Sequence, residues 1–117
     1  MGAVEVRELP ARAGKKNPSS RDEFDADTLA WPLLVRARRP GDRMRPRGGS
    51  GSRKVADLMI DAKVARPLRD TLPVVTSADG VVLFVPGLRA AEAGRPSATT
   101  SRRIAISFES AMSTFPM

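Results

Sequence analysis

The 117-residue chain contains no cysteine and no histidine. Without thiolates it can form neither disulfides nor thiolate-held metal sites, and without imidazole the usual zinc, haem and iron–sulfur ligand sets are gone as well. The same two absences remove the commonest general base near neutral pH and the strongest nucleophile, so Ser–His and Cys–His catalysis cannot be assembled. Carboxylates remain, but they are scattered singly among arginines, and nothing in the sequence pairs Asp61 with Asp70 in a cleft. The chain therefore reads as no enzyme on its own. Tyrosine is also absent, and four Phe with one Trp imply a mainly aliphatic interior. No apolar run approaches the roughly 20 residues of a membrane span. The N-terminus lacks the basic start and apolar stretch of a secretory signal. A cytoplasmic protein without a membrane partner is expected, and the lack of cysteine fits a reducing compartment.

What is present in excess is arginine, and it is concentrated. The stretch from Arg36 to Lys54, RARRPGDRMRPRGGSGSRK, carries eight basic residues against one acid, Asp42, a surplus equal to the formal +7 of the whole protein. Elsewhere twelve basic residues face twelve acidic ones. A local positive patch of this kind marks where a polyanion sits. Interleaved Gly, Pro and Ser let the backbone bend closely around phosphates, and guanidinium forks match their geometry. Arg36, Arg38, Arg39, Arg43, Arg45, Arg47, Arg53 and Lys54 are the candidate nucleic-acid contacts. The bland alternative is a solvated surface with some charges tied to Asp42 or Asp57. The five aromatic residues, Phe24, Trp31, Phe84, Phe108 and Phe115, do not interleave with the basic run, which argues against a base-stacking platform.

Along the chain, residues 1–22 read as a flexible arm or linker, 23–110 as one folded domain and 111–117 as a tail. A single turn over Phe24–Leu29 precedes a strand whose alternation puts Trp31, Leu33 and Val35 on one face and Arg36 and Arg38 on the other. Pro40–Gly41 then turns the chain. Val55, Leu58, Met59 and Ala62 fall at helical spacing, predicting a helix over 53–62 with Ser52 as its cap; Gly48–Gly51 before it is either an approach that admits a phosphate to the helix N-terminus or a flexible tip that joins strand to helix. A second short helix is expected between Val64 and Pro73. A hairpin follows, Pro73–Thr76 and Val81–Val85, the second strand apolar throughout and so central. Val85-Pro86-Gly87-Leu88 has the residues of a type II turn, and Arg103–Glu109 closes the fold as an alternating strand.

Nucleotide motifs fail. Gly48 to Lys54 has glycines but never Lys directly after Gly, as a phosphate-binding loop requires, and no Gly-x-Gly-x-x-Gly or Ser-Gly-Gly-x-Asp-Ser run exists. Asp42 is best read as a brace, accepting backbone N–H groups or clasping a neighbouring arginine. Gly41 and Gly87 serve turns, and Arg69 and Asp70 read as a structural hydrogen-bonding pair at a helix end.

Taken in order, Phe24-Asp25-Ala26-Asp27, Val35-Arg36-Ala37-Arg38-Arg39-Pro40-Gly41-Asp42-Arg43, Lys54-Val55-Ala56-Asp57-Leu58-Met59-Ile60-Asp61, Arg69-Asp70 before Pro73-Val74-Val75, and Val85-Pro86-Gly87-Leu88-Arg89 form one set of landmarks. The set resembles the C-terminal domain of tRNA(Ile)-lysidine synthetase, a ligase that attaches lysine to the wobble cytidine of a tRNA. The resemblance implies a small α+β domain, related to a module of phenylalanyl-tRNA synthetase, with a β-sandwich-like mixed sheet and two short packed helices. It implies a noncatalytic module that grips the tRNA near its acceptor stem. ATP and Mg would belong to a catalytic domain upstream, in cis or in trans, and this chain would need no cofactor. A different class of function, a module that braces a catalytic partner by docking its basic loop on an acidic surface, fits the same residues. The chain departs from many relatives in its Arg- and Ser-rich Gly48–Arg53 segment and in having Met44 after Arg43 where they carry an aromatic.

Overall fold

The computed structural model describes residues 2–9 and 21–110. The expected linker at 10–20 and tail at 111–117, Phe115 included, lie outside them. Among the described residues nine strands, two short α-helices and a single 3-10 turn at Ala26–Thr28 build an α+β domain of three antiparallel sheets. Strand β1, Gly2–Leu9, pairs with the closing strand β9, Arg103–Ser110, and β2, Arg21–Asp25, pairs with its other side. Residues 2–9 and 21–22 thus belong to the folded unit, which corrects their placement in an arm. The reason is cross-strand packing. Val4 stands opposite Phe108 and Val6 opposite Ile106, and such β-branched and aromatic pairs stabilise a ladder that the segment cannot form alone.

The second sheet runs in the order β3, Leu34–Ala37; β6, Pro73–Thr76; β7, Val82–Val85; and β8, Arg89–Ala90. All four β7 residues are buried, whereas Val81, expected to begin this strand, lies outside it and is exposed. The turn after it closes with the Leu88 N–H donating to Val85 O at 2.9 Å. Gly87 has φ +81°, the left-handed value this turn type requires. Strand β3 is shorter than expected, since Pro32 has no N–H to give a ladder. It is also an edge strand. Leu34 and Val35 on it, and Trp31 before it, are about half exposed.

Two apolar clusters hold the layers together. Phe24, Ile104 and Ile106 meet Val75, Leu83, Phe84 and Ala90 between the two larger sheets. There Phe24 and Phe84 pack edge to face with ring centroids 6.1 Å apart, a geometry that contributes about 1 kcal/mol beyond burial. The second cluster lies under helix α1, Val55–Asp61, whose Val55, Leu58 and Met59 cover Met44, Val74, Val82, Val85 and Ala91. Val74 and Val75, adjacent on β6, point to opposite faces and join different clusters. Helix α2, Arg66–Arg69, is one turn with Pro67 in its first positions. Between them Lys63 takes φ +60°, and the Val64 N–H reaches Met59 O at 2.9 Å, a left-handed C-terminal cap usually given to glycine.

Candidate nucleic-acid interface

The basic stretch is not one flexible tip. It contains a two-stranded ribbon, β4, Arg43–Met44, paired with β5, Arg53–Lys54, with Arg43 opposite Lys54 and Met44 opposite Arg53. Burial alternates from Arg43 to Pro46: exposed, buried, exposed, buried. Met44 anchors the ribbon in the cluster under α1. The period of two therefore brings Arg43, Arg45 and Lys54 to one outer face.

The eight candidate cations divide into two sets. Arg36 donates from Nη1 and Nη2 to Asp42 Oδ2 and Oδ1, both at 2.9 Å, a forked pair in which both side chains are mostly covered. The hydrogen bonds hold the Asp42 carboxyl below its usual range and raise the Arg36 guanidinium further. Arg38 reaches Asp70 at 2.5 Å, and Arg53 reaches Asp61 at 2.7 Å. Arg47 is drawn deepest. It donates to Asp22 Oδ1 at 2.8 Å, Glu23 O at 3.2 Å and Ala91 O at 3.1 Å, and its guanidinium lies 4.9 Å from the Phe24 ring centroid. Its Nη2 is buried without a partner among the described residues, and burial pushes its pKa down. Each of these four arginines thus has a carboxylate partner in the fold, with Arg53 remaining exposed. Asp42 partners Arg36, Asp61 partners Arg53 from the far end of α1, and Asp22 and Asp70 reach Arg47 and Arg38 from distant parts of the chain.

Arg39, Arg43, Arg45 and Lys54 are exposed and, among the described residues, make no ion pair with a carboxylate. Arg43 is oriented without being neutralised: its Nε donates to Ser52 Oγ at 3.0 Å and its Nη2 to Ser52 O at 3.2 Å. Arg45 faces Glu92, whose carboxylate accepts the Gly48 N–H at 3.2 Å and is held below its usual range mainly by that bond. Two like charges directly opposite across a ladder, Arg43 and Lys54, destabilise it unless an anion lies between them.

Asp42 is the brace expected of it. Besides Arg36 it accepts the Arg39 N–H at 2.7 Å, while its own carbonyl accepts the Val55 N–H at 2.9 Å. That last bond occupies the first donor of α1. Ser52 does not cap the helix; Lys54 occupies that position with no side-chain cap bond, and Ser52 serves Arg43 instead. Gly41 turns the chain at φ +89°. Arg69 and Asp70 are structural but do not bond each other: Arg69 donates to Val64 O at 3.0 Å, and Asp70 holds Arg38. No helix among the described residues is long and apolar enough to cross a membrane.

Comparison with known proteins agrees with these landmarks. Residues 33–106 match the family of the TilS substrate C-terminal domain. The tRNA(Ile)-lysidine synthase of Symbiobacterium thermophilum is 40% identical over 108 residues, covering 91% of this chain and 22% of that protein. The bifunctional protein TilS/HprT of Listeria innocua is 48% identical over 66 residues, 56% of this chain and 10% of that protein. The chain thus spans between about a tenth and a fifth of these relatives' length. A crystal structure of a TilS C-terminal domain superposes with a TM-score of 0.84 at 31% identity, covering 94% of this chain and 85% of that one. An N-terminal fragment of the phenylalanyl-tRNA synthetase beta-subunit from Pyrococcus horikoshii shares the fold, with a TM-score of 0.71 at 14% identity over 92% of this chain and 39% of that one. On the match of residues 33–106 and the superposition over nearly its whole length, this chain belongs to the TilS C-terminal domain family and is similar to the corresponding part of tRNA(Ile)-lysidine synthases.

Proposed function

We propose that the chain is the noncatalytic tRNA-gripping part of a tRNA(Ile)-lysidine synthase, in which Arg43, Arg45 and Lys54 on the outer face of the ribbon, with Arg39 on the adjoining turn, contact phosphates of an A-form stem. The observation that carries this reading is the like-charged face itself. Four cations are held on short strands and a braced turn, and two of them stand opposite each other with no carboxylate among the described residues paired to either. Phosphate oxygens are the acceptors that such a face lacks, and RNA stems are recognised mainly by shape and backbone. Neighbouring cations two residues apart on an extended strand lie roughly 7 Å apart, a spacing on the scale of successive phosphates. Arg36, Arg38, Arg47 and Arg53 hold the shape of the grip rather than touching RNA. Adenylation of the wobble cytidine and attack by lysine, with their ATP and Mg, fall to a catalytic domain in cis or in trans, because this chain has no phosphate-binding loop.

The test is equilibrium binding of fluorescent tRNA(Ile) transcript to the wild-type chain and to the Arg43→Ala/Arg45→Ala/Lys54→Ala variant at low salt, by anisotropy. Wild-type binding that the variant weakens at least tenfold, with both chains folded, supports the grip. Equal binding by the two overturns it. So does a chain that ignores tRNA and instead uses these three residues to hold a purified catalytic domain, the docking function.

A further inference from the structure

Resting on that reading of the ribbon, we infer that Asp42 is the positioning residue of the phosphate-binding face: an acidic side chain in a basic patch that strengthens anion binding by holding the cations in place. Three elements meet at this one residue. Its carboxylate clasps Arg36, which lies on β3, through two bonds of 2.9 Å, and accepts the Arg39 N–H on the turn at 2.7 Å. Its carbonyl accepts the Val55 N–H at the start of α1 at 2.9 Å. The residue after it is Arg43, and the one before Val55 is Lys54. The backbone bond between Asp42 and Val55 therefore extends the ladder in which Arg43 and Lys54 stand opposite each other.

A two-residue ladder that pairs two cations has little stability of its own, because the charges repel and the strands are short. The fixed frame on either side sets its register. Met44 anchors the ribbon from below, and Asp42 ties its open end to β3 and α1. The two carboxylate oxygens accept three hydrogen bonds, which hold the turn at Gly41 in one shape. Its side chain is about 10% exposed, too covered to meet a ligand directly. The arrangement acts only through Arg39, Arg43 and Lys54.

Positioning and charge predict opposite signs, which makes the inference testable. Asp42→Asn removes one negative charge from the patch and frees Arg36, so electrostatics alone would tighten tRNA binding. Displaced cations would instead weaken it. The control is Asp70→Asn, which also removes one negative charge and frees an arginine, Arg38, but from a residue not bonded to the ribbon. Affinities for tRNA(Ile) transcript are measured across a salt series, at a temperature where circular dichroism finds each variant folded. We expect Asp42→Asn to bind at least fivefold more weakly and to lose roughly 0.7–0.9 of the slope of log affinity against log salt for each misplaced contact. Asp70→Asn should match or exceed wild type.

Should Asp42→Asn not fold, Asp42→Glu keeps the charge and lengthens the arm. Weaker binding by Asp42→Glu supports positioning, and wild-type affinity overturns it. Asp42→Asn binding as tightly as Asp70→Asn also overturns it. If the wild-type chain itself fails to bind tRNA at low salt, the proposed function falls and this inference falls with it. That outcome differs from a wild type that binds and an Asp42→Asn variant that binds equally well.

Discussion

Replacing Arg47 by Ala should unfold this domain more readily than replacing any of the exposed cations, although both changes remove one positive charge. The truncation deletes three hydrogen bonds from a charged donor, to Asp22, Glu23 O and Ala91 O, and leaves two backbone carbonyls without that partner. It also uncovers the Phe24 ring, on which the guanidinium rests at 4.9 Å. Bonds to charged groups contribute about 1.5–3 kcal/mol each when buried, and a desolvated cation–π contact about 1–2 kcal/mol. Two effects reduce the sum. Asp22 keeps about 30% exposure and can rehydrate, and the guanidinium is itself disfavoured by burial, with Nη2 unpartnered. A net loss of about 3 kcal/mol remains, which for a domain of this size lowers Tm by roughly 10–25 °C.

Thermal and urea melts followed by far-ultraviolet circular dichroism measure it. Arg47→Met, which restores apolar volume over Phe24 at the same loss of charge, should recover part of the deficit. A loss below about 1 kcal/mol for Arg47→Ala, together with weaker tRNA binding by a fully folded variant, would show that Arg47 belongs to the ligand face and refute the division of the arginines.

Arg43→Ala, by contrast, should change stability by less than about 0.5 kcal/mol in the same melts, since its side chain is exposed and bonded only to Ser52. Asp42 has a folded pKa held below its usual 3.8, chiefly by the Arg36 hydrogen bond, so its contribution is present above about pH 4 and is lost as pH falls through the lower folded value. Stability measured from pH 6 to pH 2 should accordingly fall more for wild type than for Asp42→Asn, and parallel curves would contradict the clasp. Lys63→Gly should stabilise by about 1 kcal/mol, because glycine meets no Cβ penalty at φ +60°, and an unchanged urea midpoint would argue against that strain. Gly94→Ala should destabilise by about 1–3 kcal/mol, since a Cβ there falls 2.7 Å from Leu29 Cδ2 at a φ of +77°; a neutral effect in the melts would count against this packing.

The parts of the fold that were legible in the sequence are those whose pattern is local and strong. Val55, Leu58 and Met59 lie at helical spacing and form one buried face of α1. The Val82–Val85 run is buried throughout, and Ile104 and Ile106 alternate inward on β9. Strand β1 escaped notice because its apolar residues, Ala3, Val4, Val6 and Leu9, keep no strict alternation and its partner lies about a hundred residues away. The ribbon escaped because two-residue strands amid Gly, Ser and Arg carry no periodic run, although Met44 set between Arg43 and Arg45 hinted at two faces. In the site, the concentration of charge was legible and its division was not. Arg36 and Asp42 are six residues apart and could be read together, Arg53 meets Asp61 across the single helix α1, and Arg47 finds Asp22 and Arg38 finds Asp70 only through the tertiary fold.

The division of the cations is tested most directly by comparing two double variants of equal charge, Arg43→Gln/Lys54→Gln and Arg38→Gln/Arg53→Gln, in the salt dependence of tRNA affinity. Each phosphate contact contributes roughly 0.7–0.9 to the slope. The first variant should therefore lose about 1.5 from it, and the second, whose carboxylate partners already neutralise the wild-type arginines, should keep the wild-type slope. Equal losses from the two variants would contradict the account.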